Sequence, residues 1–285
     1  MMKRIGYGWS NGAASILNAV ATWKGSAFAI ELVTRAEVEL DRSPAVRGDV
    51  PGVDTRLIEC CAERVLEHLG FEYGGRVRTS SEIPVASGLK SSSAAANAVI
   101  LATLDALDVD MDLFSAARIG VEAAREVGVT ITGALDDALA SMLGGVVVTD
   151  NREMSLLRRD ELSCGVLLLV PDQKLFSRDT DISRSRVIAP MADLAFDLAM
   201  KGEYGRAMTL NGLAYCAALG LSSEPIILAL EKGAKGASLS GTGPSYAALI
   251  EENRMDGLEE CWRELGGRVI RTKANNRCAS RGQGF

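Results

Sequence analysis

The sequence has 285 residues and a mass of 30.2 kDa, 47% apolar and 24% charged, which is globular composition and excludes a disordered or fibrous chain. That length accommodates two domains of ordinary size, and a net charge of −6 with a pI near 5.1 argues against nucleic-acid or anionic-membrane partners. Six cysteines are scattered without a C-x-x-C pair and there is one histidine, so zinc-site spacing is absent and free thiols in a reducing compartment are expected.

Residues 1–30 contain Lys3 and Arg4 but no continuous apolar run after them, which argues against a signal peptide. No window approaches the roughly 18 apolar residues of a spanning helix, so a cytoplasmic location is expected. Residues 5–40 alternate as strands at both ends, around small residues and a stretch with Asn11, Ser15 and Asn18. That pattern fits backbone approaching a ligand, and fits an ordinary strand–loop–strand equally well. Residues 54–69 have apolar side chains at helical spacing, with Asp54 as the predicted cap and Gly70 as the stop. The single histidine, His68, sits near that helix's C-terminus, where a structural role is expected.

A strand begins near Arg76 and should end at Pro84, which has no N–H to give a sheet ladder. There follows Ile83-Pro84-Val85-Ala86-Ser87-Gly88-Leu89-Lys90-Ser91-Ser92-Ser93-Ala94-Ala95-Ala96. Gly88 permits positive φ and close approach of a ligand. Serine is a preferred N-cap, and a helix N-terminus presents unpaired N–H groups and the positive end of the helix dipole. Lys90 adds a full charge. A capped core helix can begin with serine too, but it has no use for three of them beside a lysine. The stretch therefore reads as a phosphate site. It is neither a Walker A loop nor a G-x-G-x-x-G fingerprint, because Leu89 precedes the lysine and the glycine spacing is wrong. The helix it opens, to Leu107, is apolar nearly all round, as a buried helix should be.

Asp112 should cap a further amphipathic helix that Gly128 ends. A short helix then carries Asp136 and Asp137 before Gly144-Gly145 and a buried valine strand. Adjacent helical residues point about 100° apart, so one carboxylate should face a pocket and the other solvent or a helix partner. Charged residues 150–161 read as a solvated hairpin or connection, and the domain boundary is placed there, giving domains 1–155 and 156–285. Residues 165–170 form a buried strand. The next loop carries Lys174, Arg178, Arg184 and Arg186, candidates with Arg152 for binding a carboxylate. Helical pattern over 191–233 breaks at Gly202, Gly220 and Pro225. Residues 236–249 read as strand, Gly241-Thr242-Gly243-Pro244 turn and strand, followed by a helix and a closing strand at 268–273. The last dozen residues carry no readable signal.

The run from Pro84 to Ala95 resembles the second motif of the GHMP kinases (galacto-, homoserine, mevalonate and phosphomevalonate kinases), P-x-x-x-G-L-G-S-S-A-A. Here Lys90 stands where most members have Gly, and a third Ser precedes the alanines; that variant is similar to the archaeal shikimate kinases, as is the segment Val146 to Glu153. The resemblance implies an α+β, two-domain GHMP fold, with a ribosomal-protein-like N-terminal domain and a ferredoxin-like C-terminal domain. It implies ATP and Mg²⁺ as cofactors and phosphorylation of the 3-hydroxyl of shikimate, a small-molecule substrate of aromatic amino-acid biosynthesis. Residues 84–94 would cradle the ATP phosphates, Lys90 would neutralise their charge and Ser92 would bind the metal. Gly241, Thr242 and Gly243 resemble the third motif. In galactokinases and mevalonate kinases an Asp lies seven residues before the Gly after this helix, which here is Asp137, the first candidate base, with Asp136 second. Asn18, Lys24 and Arg152 are candidates for the acceptor. Homoserine or mevalonate kinase, and a non-catalytic binding protein on the same fold, are the alternatives.

Overall fold

The structure is a computed structural model and describes residues 4–130, 132–172 and 182–282. Two long strands, β1 (Arg4–Leu17) and β2 (Lys24–Asp41), pair antiparallel and found a seven-stranded sheet. β3 (Val46–Gly48) and β4 (Gly74–Ser81) extend it on one side of β2, and β5 (Val146–Asp150) and β6 (Ser155–Asp160) pair as a hairpin off the start of β2. The second sheet has the order β10-β7-β9-β8, all antiparallel, from β7 (Gly165–Val170), β8 (Gly236–Leu239), β9 (Tyr246–Ile250) and β10 (Arg268–Lys273).

The period of two decides how these layers stack. Ala13, Ala27 and Val147 point into a core shared with α1 (Arg56–Leu69), α2 (Ser91–Leu107), α3 (Leu113–Glu126) and α4 (Leu135–Leu143). Their neighbours Ala14, Phe28, Val146 and Val148 point the other way and pack with Val166 and Leu168 of β7. The alternate residues Leu167 and Leu169 then meet a third core with Tyr215, Ile226 and Trp262, from α6 (Tyr204–Leu219), α7 (Glu224–Glu231) and α8 (Met255–Glu264). Strands buried on both faces lose the polar alternation of a half-exposed strand, which is why β5 and β7 read as unbroken valine and leucine. α5 (Ala189–Met200) completes the α+β fold, packing on α6.

Several local expectations change. The small residues from Gly6 to Ser15 belong to one continuous strand, and the loop begins only after Leu17. Gly6 and Gly8 let α2 rest on β1, since a Cβ there would lie 2.2 Å from Ala102 O or 2.5 Å from Ala98 O. Asp54 is not the cap of α1: Thr55 is, and Asp54 Oδ1 instead accepts from Arg56 N–H. Asp112 does cap α3, accepting from Ser115 N–H at 2.9 Å, an arrangement that stabilises a helix by about 1 kcal/mol. The expected boundary after residue 155 falls at the start of β6, whose pairing keeps it in the first sheet. The silent C-terminal stretch also returns to that sheet. Ala274 bridges to Ile30, and β11 (Ser280–Arg281) pairs with Gly8 and Trp9 of β1.

Candidate active site

A cavity of about 530 Å³ opens between the phosphate-type loop, α1, α3, the first turn of α4, residues 15–20 and the β8–β9 turn. The loop is held on its far side. Leu89 is buried in the core, and its carbonyl accepts from Ala13 N–H of β1. The Ser87 hydroxyl donates to Pro84 O at 2.7 Å, and Ser87 O accepts from Ser245 N–H. Ser240 Oγ donates to Gly88 O at 2.8 Å, so the third motif grips the second directly. Ser15 joins them: its N–H donates to Ser240 Oγ and its hydroxyl accepts from Gly241 N–H. Ala86, Gly88 and Lys90 all have positive φ. Alternation of that kind turns successive N–H groups toward one concavity, a geometry that suits anions. Ser91, Ser92 and Ser93 are the first residues of α2 and line the cavity. None of them is the N-cap, contrary to expectation. Lys90 is, with no side-chain hydrogen bond to the helix, so the serine N–H groups of the first turn stay available.

Gly88 is where this grip is tightest. Its φ is +83° and a Cβ would stand 2.3 Å from Ser240 O. Gly88→Ala is therefore expected to push the loop off the β8–β9 turn. Weakening of ATP-dependent thermal stabilisation by tenfold or more in apparent affinity is the expected result, and an unchanged nucleotide titration would show that the loop tolerates the shift.

Lys90 explains its own departure from glycine. Its backbone keeps the left-handed conformation, φ 62°, that glycine adopts freely and that costs another residue about 1 kcal/mol or more. Its side chain is nearly buried, with Nζ 3.0 Å from Asp137 Oδ1 and close over Gly241, where a Cβ would come within 3.1 Å. Apart from this ion pair Asp137 Oδ1 receives no directed hydrogen bond. Neither carboxylate turns away to solvent or to a helix partner, the two directions expected for one of them, and Asp136 stays in the cavity wall. It is the more buried of the two, accepts from Asn151 Nδ2 at 2.8 Å, and lies against Gly25, where a Cβ would meet its carboxyl carbon at 2.4 Å. Burial and then the Asp137 charge raise Asp136 from the usual carboxylate range to about 7, while Lys90 and the Asn151 amide pull it back. Both carboxylates line the same cavity.

The remaining predicted residues divide. Val85, Ala86, Ser87, Gly88, Lys90, Gly241, Thr242 and Asn18 line the cavity. Pro84, Leu89, Ala94 and Gly243 do not; Leu89 and Ala94 are core, and Gly243 stands against the side chains of Leu239 and Leu221. Lys24 points outward to Asp193 at 3.0 Å and lies over Phe196; Arg152 lies over Trp23. Neither lines the cavity, and the exposed Arg184 and Arg186 do not either. Lys174 and Arg178 fall outside the described residues. Sequence reasoning missed the apolar part of the lining, to which Val53, Leu57, Val121 and Val129 belong. It also passed over Asn97, although a lone amide in an apolar helix was visible. Asn97 is part of the cavity wall; its Nδ2 donates to Ala138 O at 2.9 Å and its Oδ1 is buried without a partner.

Comparison with known proteins bears on this geometry. The family model "GHMP kinases N terminal domain" matches residues 56–145. The chain is 60% identical to the shikimate kinase of Methanothrix thermoacetophila, over 98% of this chain and 96% of that one. It is 54% identical to the shikimate kinase of Methanosarcina mazei, over 95% and 94%. Among solved structures, homoserine kinase from Cytophaga hutchinsonii matches with a TM-score of 0.77 at 18% identity, covering 99% of this chain and 98% of that one. Mevalonate kinase from Methanococcus jannaschii matches with a TM-score of 0.75 at 16% identity, covering 94% and 98%. Likeness at such low identity is a likeness of fold.

Proposed function

The chain belongs to the GHMP kinases, in the branch of these archaeal shikimate kinases, and we propose that it transfers the γ-phosphoryl group of ATP to the 3-hydroxyl of shikimate. The near full-length identity to the Methanothrix enzyme carries this reading, and the pairing of Lys90 with Asp137 across one cavity supports it. Loop 85–93 and the first turn of α2 hold the triphosphate through backbone N–H groups, and the apolar lining that includes Val121 takes the base. The acceptor lies against residues 18–20 and the two carboxylates. Its hydroxyl oxygen attacks the γ-phosphorus, the bond from that phosphorus to the β–γ bridging oxygen breaks, and ADP leaves. Asp137 accepts or orients the hydroxyl proton, and Lys90 offsets the charge on the transferred group. Most of the acceleration in such a site comes from positioning and electrostatics.

A divalent cation fits this wall. Among the described residues no cluster of three or more His, Cys, Asp or Glu forms a protein cage, which suits Mg²⁺, an ion that keeps its waters and binds through phosphates. The Ser92 hydroxyl, in the first turn of α2 and in the cavity lining, would ligate it. When bound, the ion withdraws charge from the phosphate oxygens.

The test is ADP release from Mg·ATP with shikimate, homoserine and mevalonate offered separately. Turnover with shikimate is expected. Turnover with one of the others alone would move the acceptor while keeping the chemistry, and none with any would overturn the catalytic reading.

A further inference from the structure

Asn151 is fully buried in the turn between β5 and β6 and does not itself line the cavity. Four hydrogen bonds converge on it. Its Nδ2 donates to Asp136 Oδ1 at 2.8 Å and, more weakly, to Thr132 Oγ1 at 3.4 Å. Its Oδ1 accepts from the Thr149 hydroxyl at 2.7 Å, and its backbone N–H donates to Trp23 O at 2.8 Å. These bonds reach three separate parts of the site: the first turn of α4, the loop before it, and the end of loop 18–23, whose Asn18, Ala19 and Val20 face the cavity. Loop 18–23 is fixed from the other side as well, because Asn18 N–H donates to Asn211 Oδ1 and the Tyr215 hydroxyl donates to Asn18 O.

Resting on the kinase reading above, we infer that Asn151 is a positioning residue. It locks the Asp136 carboxylate and loop 18–23 into one unit, so that Asp137, the next residue on the same turn, meets the acceptor hydroxyl in a fixed register. A side chain that served the turn alone would need only Thr149, since the bond to Trp23 O comes from the backbone N–H. The bond to a buried carboxylate adds a second consequence. A donor favours the charged form, so Asn151 restrains the protonation that burial imposes on Asp136. The ionisable groups facing Asp136 are Asp137 on its own helix, Lys90 from the phosphate loop and Tyr215 from α6, while β2 presents the uncharged Gly25. None of them donates a hydrogen bond to Asp136 in place of the amide.

The experiment is a ¹³C NMR titration of the Asp136 carboxyl in the unliganded protein, assigned by its loss in Asp136→Asn. Asn151→Leu keeps the branched outline, with bulkier methyl groups, and removes the donor. Its midpoint is expected to rise by about one pH unit, the size of one hydrogen bond to a charged group. In steady-state kinetics the acid limb of kcat should rise with it. kcat should fall about tenfold, with KM for ATP unchanged because loop 84–93 is not touched. Thr149→Val, which only loosens the amide, should move the midpoint in the same direction by less, and it decides the matter if Asn151→Leu does not fold. An unmoved midpoint in the folded variants overturns the inference, as does a loss of kcat that only follows lost thermal stability. A wild-type protein inactive on shikimate overturns the kinase reading alone, because the titration needs no substrate.

Discussion

Asp137→Asn is expected to bind ATP as the unchanged protein does and to lose about 10²- to 10⁴-fold in kcat, the usual weight of a positioned proton acceptor. The geometry is specific about why. Asp137 borders the cavity and its buried Oδ1 is met by Lys90 at 3.0 Å, so the carboxylate is held in place and only its other oxygen is left to meet an incoming hydroxyl. The asparagine keeps the size and the place on α4 but gives up the charge and the basicity. Steady-state turnover beside a nucleotide-dependent thermal shift separates the two effects. Turnover within a few-fold of the parent would mean that the phosphoryl group needs no base here and that Asp137 only orients.

Lys90→Gly should act on the other half of the reaction. The substitution suits the backbone, which already has glycine-like φ, so the loop keeps its path and loses only its cation. A charge-assisted contact is worth about 1.5–3 kcal/mol, which translates to a KM for ATP raised about 10- to 100-fold. The Asp137 carboxylate is left without its partner, so kcat should fall too. Combining Lys90→Gly with Asp137→Asn should therefore cost less than the product of the two single effects. Strictly multiplicative losses would show that the ion pair does not couple the phosphate and acceptor sides. An unchanged KM for ATP would make Lys90 a structural replacement for glycine.

Most of the fold was legible because its layers obey simple periods. The buried helix at Ser91–Leu107, the capped α3, the strands at Gly165–Val170 and Arg268–Lys273 and the glycine stops all followed from apolar spacing and turn chemistry. That residues 85–93 form a loop and helix start facing a cavity was legible for the same reason, as serine, glycine and lysine together have a local physical meaning. What failed was everything set by distant partners. Gly6 and Gly8 looked like ligand approach and are helix contacts, because only the tertiary packing of α2 decides between them. Adjacent Asp136 and Asp137 were expected to diverge, but Gly25 and Asn151, more than a hundred and about fifteen residues away along the chain, hold the first inside the cavity wall. Lys24 was an acceptor candidate only through the family resemblance. Its partner is Asp193, which no local pattern could announce.

The return of the C-terminal segment gives the chain a particular order of events. Asn11 Nδ2 donates to Arg277 O, a partner 266 residues further on, and Ala279 N–H donates to Met142 O beside the carboxylate-bearing helix. On the ribosome, therefore, the first hairpin is made long before the residues that finish its edge exist. Until they emerge, β1 offers an open strand and Asn11 lacks one of its two acceptors, keeping only Ser141 O. The nascent protein then depends on a contact of very high sequence separation, the kind that closes slowly. Shortening the chain before residue 274 should leave the helices and the phosphate loop complete in sequence yet exposed to aggregation through β1.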